Sequence, residues 1–259
     1  MKNIIVTGCS YSQKSGVPIA YPDMLNESSD VNVKSLAWPG QSNDTIIRNV
    51  KEQIRDGVTD TLFICQLTHL HRMAKFCTLN QKWIDFQPGV VNTRPTIKDD
   101  KITFDVLYTS DKNSIPNTGN RGGVGIYGAR SFEDVELSEQ NFEEFLDWYG
   151  FYLKYIYDDE HTFYELHNSI DELSKQVKDS GNDILYIYWP DIIYNKEPFC
   201  KNNFLSIDGE YSMLRWSVKN KLTQQKDSHL SINGHIKLSE EIAKKINIKL
   251  DINKQFLIY

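Results

Sequence analysis

The sequence predicts an α/β fold, a three-layer α/β/α sandwich around a parallel sheet of about five strands. In the first 65 residues short apolar runs alternate with helical segments, and the same alternation resumes near residue 183. Strands separated by helices form parallel sheets that are covered on both faces. The chain has 259 residues, of which 40% are hydrophobic, enough for one sizeable core. We therefore predict a single domain over residues 1–259.

The elements of the first half follow a strand, helix, strand order. A buried strand comes first, a turn at Trp38-Pro39-Gly40 precedes the second helix, and a third apolar run completes this half of the sheet. The predicted elements are a strand at Asn3 to Thr7, a helix that includes Tyr21 to Asn26, a strand at Val31 to Leu36, a helix at about Asp44 to Arg55 and a strand at Thr61 to Cys65.

From about residue 74 to residue 135 the helical period is lost, and turn-forming pairs such as Gly122-Gly123 separate short polar runs. We interpret this stretch as an insertion that caps the carboxyl edge of the sheet, where a loop region would select the substrate. Helical patterning then returns. The later predicted elements are a helix from Ser138 through the aromatic stretch Phe142 to Tyr157, a helix to about Lys178, a strand at Ile184 to Trp189, a short helix at about Met213 to Asn220 and a final helix at about Ile232 to Ile246.

Composition excludes several kinds of partner. The formal net charge is −6, so a nucleic acid bound through its phosphates is not expected. No apolar run approaches the roughly 20 residues that span a bilayer, and Met1-Lys2 leads straight into an apolar strand rather than a signal peptide. We expect a cytoplasmic protein with no membrane partner. The four cysteines lack metal-ligand spacing, so neither a metal nor a cofactor is expected.

A serine stands on the turn that leaves the first predicted strand, in Thr7-Gly8-Cys9-Ser10. Open α/β sheets place their ligands at the carboxyl ends of the strands, and Gly8 allows a tight turn there. Ser10 is therefore a candidate nucleophile. The alternative is an ordinary helix cap, because serine is also a common N-cap residue.

The second signal lies before the final helix, in Asp227-Ser228-His229. A serine hydroxyl becomes a useful nucleophile when an imidazole accepts its proton and a carboxylate orients that imidazole. Asp227 and His229 supply both groups on one short loop. The alternative makes Asp227 and Ser231 turn and cap residues and His229 a surface histidine. We interpret His235, inside the predicted helix, as structural.

Together these segments resemble the SGNH, or GDSL-like, hydrolase superfamily, whose members carry four sequence blocks along a flavodoxin-like sheet. Gly8-Cys9-Ser10 stands for the family's Gly-Asp-Ser, with a cysteine in place of the aspartate. The resemblance makes Ser10 the nucleophile. The glycine of the second block corresponds to Gly40, and the resemblance gives the Ser10 and Gly40 amides the oxyanion, although Gly40 taken alone fits an ordinary turn better.

The third and fourth blocks depart from the family pattern. The family's Gly-x-Asn-Asp is replaced by Gln66-Leu67-Thr68-His69, so that Thr68 takes the place of the oxyanion-hole asparagine and either its hydroxyl or the Gln66 amide would donate instead. Loss of one such donor costs on the order of 10²-fold in rate. The family's Asp-x-x-His is shortened here to Asp227-Ser228-His229.

These features predict a serine-dependent acyl-ester hydrolase with a Ser10, His229, Asp227 triad, acting on a small-molecule or carbohydrate ester as an esterase or deacetylase. The alternatives are a carbohydrate O-acyltransferase and a non-catalytic binding or structural protein of the same fold, which the missing asparagine favours. Three further side chains are predicted near the substrate. They are Asn43, Gln66 and Arg72, of which Arg72 is either a ligand for a carboxylate or phosphate or an exposed structural arginine.

Overall fold

The fold is built on a parallel sheet of four strands, as a computed structural model of the chain shows. The structure describes residues 3–70, 72–77, 82–88, 96–98, 101–103, 124–128, 155–189, 201–224 and 229–252. The sheet strands are β1 (Asn3–Thr7), β2 (Asn32–Ser35), β3 (Thr61–Leu67) and β9 (Asp183–Tyr188). Their spatial order is β2-β1-β3-β9, with all neighbours parallel. This is the flavodoxin-like order.

The fifth position of the sheet differs from the sequence prediction of about five strands. Beside β9, Phe204 and Ser212 form isolated parallel bridges to Tyr186 and Tyr188, but no continuous ladder develops in the described residues. The intervening chain makes a tight turn at Asp208 and Gly209, both with positive φ. The turn takes the backbone out of extended geometry, so the two bridges do not join into one strand over the described residues 204–212.

Helices cover both faces of the sheet. On one face lie α1 (Tyr21–Ser28), α4 (Met213–Lys219) and α5 (Ile232–Ile246), packed against alternate residues of the strands such as Ile4 and Val6. On the other face lie α2 (Asn43–Arg55) and α3 (Asp159–Asp179), packed against the intervening residues such as Ile5 and Phe63. Every residue of β3 is buried, as expected for a strand with a helical layer on each side.

Antiparallel strands lie between β3 and α3, in the region that the sequence marks as an insertion. A three-stranded sheet has the order β4-β5-β8, and a separate hairpin joins β6 and β7. Their bounds are β4 (Met73–Cys77), β5 (Lys82–Pro88), β6 (Thr96–Lys98), β7 (Lys101–Thr103) and β8 (Val124–Gly128). The predicted helix over Phe142 to Tyr157 lies mostly outside the described residues.

One buried carboxylate ties this antiparallel sheet to α2. Asp85 of β5 accepts hydrogen bonds from the Ser42 N–H (3.0 Å), the Ser42 hydroxyl (2.6 Å) and the Thr45 hydroxyl (2.7 Å). On the same helix the Asp44 carboxylate accepts from the Ala74 N–H of β4 at 3.1 Å. The antiparallel strands are thus held against the amino end of α2. No helix among the described residues is long and apolar enough to cross a membrane.

Candidate active site

The structure brings Ser10 and His229 into contact although 219 positions separate them in the sequence. Ser10 opens a short 3₁₀ turn, Ser10–Ser12, directly after β1. Its Oγ lies 2.9 Å from His229 Nε2. Ser10 is not a side-chain helix cap, because Cys9 occupies the N-cap position of the turn and makes no side-chain cap bond. A hydroxyl at this distance from an imidazole nitrogen can transfer its proton to it.

His229 is held just before α5, at the carboxyl edge of the sheet. Ser231 is the N-cap of that helix, since its side chain accepts from the Gly234 N–H, and it follows His229 by two residues. His229 itself is half-buried rather than a surface residue. Asp227, the predicted third member of the triad, lies outside the described residues, so its role stays a prediction.

Gln66 of β3 holds the turn that carries Ser10. Its side-chain oxygen accepts from the Cys9 N–H (3.0 Å), the Cys9 thiol (3.3 Å) and the Ser12 hydroxyl (3.2 Å). Its side-chain amide nitrogen donates to the Leu67 carbonyl at 2.7 Å. A Cβ on Gly8 would stand 2.8 Å from the Ser12 oxygen and 2.9 Å from Gln66, so only glycine fits there. Gln66 is therefore an anchor of the turn, and its predicted contact with substrate stays a prediction.

A second glutamine joins the Ser10 region to the His229 region. The Gln224 side-chain nitrogen donates to the Ser15 carbonyl at 2.6 Å and to the Leu230 carbonyl at 3.0 Å. The Gln224 main-chain N–H also donates to the His229 carbonyl at 2.8 Å. These three bonds fix the segment with the imidazole against the segment that follows the serine.

An aromatic stack supports the imidazole from the side. The Tyr11 ring lies between Trp189 and His229, with ring centroids 3.9 Å from Trp189 and 4.5 Å from His229. The Tyr11 and His229 planes are inclined by 30°. Trp189 is 1% exposed, so the far side of the stack is packed in the core. The stack restricts rotation of the imidazole, and its geometry suits an aromatic face beside a ring that becomes positively charged.

The polar network behind Ser10 continues to α5. The Ser12 hydroxyl lies 2.9 Å from the Tyr21 hydroxyl, and the Tyr21 N–H donates to His235 Nδ1 at 3.2 Å. Burial lowers the pKa of His235 to about 3, with a smaller contribution from the nearby His229. His235 is thus a neutral acceptor near pH 7, which agrees with the structural interpretation of this histidine.

The backbone near Ser10 offers donors for an oxyanion. Gly40, with φ of 80°, lies on the loop after β2, and the Trp38 N–H of that loop donates to the Gly8 carbonyl at 3.1 Å. Among the described residues none accepts a hydrogen bond from the N–H of Ser10 or of Gly40. Both amides thus lack an acceptor within the described part of the chain, and their oxyanion role stays a prediction.

The Asn43 side chain holds the loop after β3 through hydrogen bonds to the main chain of that loop. Its side chain accepts from the Thr68 N–H at 2.8 Å and donates to the Thr68 carbonyl at 3.1 Å. The Thr68 hydroxyl, by contrast, is buried and has no hydrogen-bond partner in the described part of the chain. Asn43 is thus engaged as a loop anchor, and of the two donors predicted for the third block only the Thr68 hydroxyl is without a partner.

Arg72 is a buried side chain, only 8% exposed, so the alternative of an exposed arginine is wrong. Four residues that the sequence patterns do not single out for the site also shape it: Tyr11 and Gln224 through their contacts with the His229 region, Asp85 through α2, and Trp189 through the stack. Of these four residues, only Trp189 had a signal in the sequence, because it belongs to the aromatic run at the end of β9.

No group of three or more His, Cys, Asp or Glu residues that could hold a metal ion occurs in the described ranges. No protein-family model and no curated protein matches the sequence. Among solved structures, the chain is similar to the crystal structure of protein YxiM from Bacillus subtilis, with a TM-score of 0.41 and 11% sequence identity. The match covers 95% of this chain and 56% of YxiM, so the chain spans little more than half the length of that protein.

Proposed function

We propose that the protein is a serine-dependent acyl-ester hydrolase of the SGNH type, with Ser10 as nucleophile and His229 as general base. The observation that carries this proposal is the 2.9 Å contact between Ser10 Oγ and His229 Nε2 at the carboxyl edge of a parallel sheet. The order of the four sequence blocks supports it, because each block follows a strand or precedes the last helix as in that superfamily.

The proposed reaction has two steps. Ser10 Oγ attacks the ester carbonyl carbon while its proton passes to His229 Nε2. The bond to the alcohol oxygen then breaks, and the alcohol leaves with that proton. Water next attacks the acyl-serine and gives a proton to His229 Nε2. The bond to Ser10 then breaks as His229 returns that proton to Ser10 Oγ, and the acid is released. The carboxylate of Asp227 would orient the imidazole.

The negative charge that develops on the carbonyl oxygen would be held by the amides of Ser10 and Gly40. Neither donates to another described residue. Thr68 supplies a buried hydroxyl in place of the asparagine that the superfamily uses. Donors fixed in advance stabilise such charge most in a site that excludes water, because they need not reorganise during the reaction.

Labelling with a fluorophosphonate probe tests the proposal. We expect the wild type to be labelled at one serine, and labelling to be lost in both Ser10→Ala and His229→Ala. The matched controls are Ser169→Ala, on the exposed face of α3, and His161→Ala, whose side chain is 73% exposed. A folded wild type that takes no label would contradict the proposal and favour a non-catalytic binding protein.

A further inference from the structure

The loops after β2 and β3 contain buried polar atoms that the fold leaves without partners. Three side chains share this property: the Gln41 side-chain oxygen, the Thr68 hydroxyl and Arg72 Nε have no hydrogen-bond partner in the described part of the chain. Buried polar atoms are nearly always paired, and the exceptions indicate a water, an ion or a function. Gln41, Thr68 and Arg72 are 5%, 0% and 8% exposed.

The three side chains belong to one place in the fold. Arg72 Nη1 approaches the Gln41 carbonyl at 3.5 Å, and Asn43, two residues further on, binds the main chain of Thr68. The loop formed by residues 41–43 therefore contacts both Thr68 and Arg72. It follows directly on Gly40, whose amide is a proposed oxyanion donor.

Arg72 is the most informative member of this cluster. A buried guanidinium normally faces a carboxylate, because removing an unpaired charge from water costs several kcal/mol or more. Among the described residues no carboxylate lies within ion-pair distance of Arg72, and the one hydrogen bond of its side chain there is the long contact with the Gln41 carbonyl. The nearby carboxylates are engaged elsewhere, Asp44 with Ala74 and Asp85 with Ser42 and Thr45.

We propose that the Arg72 guanidinium forms an anion-binding subsite at the loops after β2 and β3, and that the substrate is an ester bearing a carboxylate or phosphate group. The statement that the substrate is an ester rests on the proposed function, whereas the anion-binding subsite does not depend on it. A guanidinium binds either oxyanion through parallel N–H donors.

Binding without turnover is measured first, with succinate and inorganic phosphate as probes and uncharged succinamide as control. In Ser10→Ala protein we expect one or both anions, but not succinamide, to raise the midpoint of thermal unfolding. The rise should vanish in Ser10→Ala/Arg72→Gln and persist in Ser10→Ala/Arg55→Gln, because the Arg55 side chain is 76% exposed. The anion that raises the midpoint shows whether the charged group of the substrate is a carboxylate or a phosphate. An equal rise in the Arg72 variant, or no rise with either anion, would overturn the subsite.

Stability without ligand separates a ligand-binding arginine from a structural one. Replacing an uncompensated buried charge by an apolar side chain is often neutral or stabilising. We therefore expect Arg72→Met and Arg72→Gln to unfold, in the absence of anions, at the wild-type temperature or above it. A clear fall in both variants would show that Arg72 supports the fold, and would overturn the proposal.

Hydrolysis is compared on two esters of equal chain length, mono-p-nitrophenyl succinate and p-nitrophenyl butyrate. Arg72→Gln should lower kcat/KM for the charged ester about 10- to 100-fold, the range for a hydrogen bond to a charged group, and leave the neutral ester nearly unchanged. Equal effects on both esters would overturn the subsite while the hydrolase stands. Anion binding in a protein that takes no fluorophosphonate label would keep the subsite and overturn the hydrolase.

Discussion

The turn that carries Ser10 and the loops that carry Thr68 and Arg72 lie at the same edge of the sheet. They differ in how far their polar atoms are hydrogen-bonded within the protein. Around Ser10, Gln66 accepts three hydrogen bonds and Gln224 donates two from its side chain. Around Arg72, three buried polar atoms have no partner among the described residues, whereas near Ser10 the Trp189 indole nitrogen, which lies in the aromatic stack and outside the hydrogen-bonded turn, is such an atom.

The difference separates two tasks. A nucleophile must be held in one geometry before substrate arrives, so the protein itself satisfies the groups that position it. A binding subsite must keep donors available, so its groups stay unsatisfied until a ligand binds. The first region should therefore lose both stability and reactivity when it is altered, whereas the second should lose ligand binding alone.

The largest effect is expected when the anchor of the Ser10 turn is removed. Gln66→Leu leaves the Cys9 N–H and the Ser12 hydroxyl buried with one acceptor fewer, and each unsatisfied group costs about 1–3 kcal/mol. We expect the free energy of unfolding to fall by about 2–4 kcal/mol. A displaced serine should also lower the fluorophosphonate labelling rate about 100-fold.

The control for this change is Gln53→Leu in α2, because the Gln53 side-chain oxygen accepts an exposed hydrogen bond from the Lys34 amine at 3.2 Å. Urea unfolding and the labelling rate are measured for both variants. If Gln66→Leu labels as fast as the wild type, the network does not position Ser10.

The next effect is a loss of stability in acid. The pKa of His235 is about 3 in the folded protein, below the value near 6.5 of an unfolded histidine, so the unfolded chain binds the proton first as the pH falls. Stability should therefore be complete above about pH 6.5 and decline towards pH 3 by up to about 1.4 kcal/mol per pH unit.

His235→Gln removes this titration and should flatten the decline, when the free energy of unfolding is measured from pH 7 to pH 4. His161→Gln is the control, because His161 is exposed on α3. His167, whose pKa burial lowers to about 4, adds a similar decline to every variant. Parallel curves for the wild type and His235→Gln would contradict the assignment of His235 as a neutral buried acceptor.

The smallest effect is expected at the aromatic stack. Tyr11→Leu removes the ring that lies against His229, and an aromatic pair contributes about 0.5–1.5 kcal/mol, which corresponds to at most about a 10-fold lower labelling rate. Tyr11→Phe keeps the ring and should label close to the wild-type rate. A Phe variant as slow as the Leu variant would show that the hydroxyl, and not the stack, supports the imidazole.

Much of the fold could be predicted from local sequence patterns. The predicted final helix, Ile232 to Ile246, and the predicted first strand, Asn3 to Thr7, agree with the structure, because apolar periodicity and caps are encoded over a few neighbouring residues. The described residues form four of the about five predicted parallel strands, and beside β9 the buried Phe204 makes only an isolated bridge. The division of the chain into one domain with an insertion stays a prediction.

The sequence by itself determined the α/β class and the order of strands and helices along the chain. It also identified Ser10 and His229 as candidates, because each of these results depends on residue type and short spacing. Only the tertiary structure decided that the two meet at 2.9 Å, that Gln66 and Gln224 hold them, and that Arg72 is buried with no counter-ion among the described residues. Those facts depend on contacts between residues far apart in the chain, and a hydrogen-bond partner or its absence has no local sequence pattern.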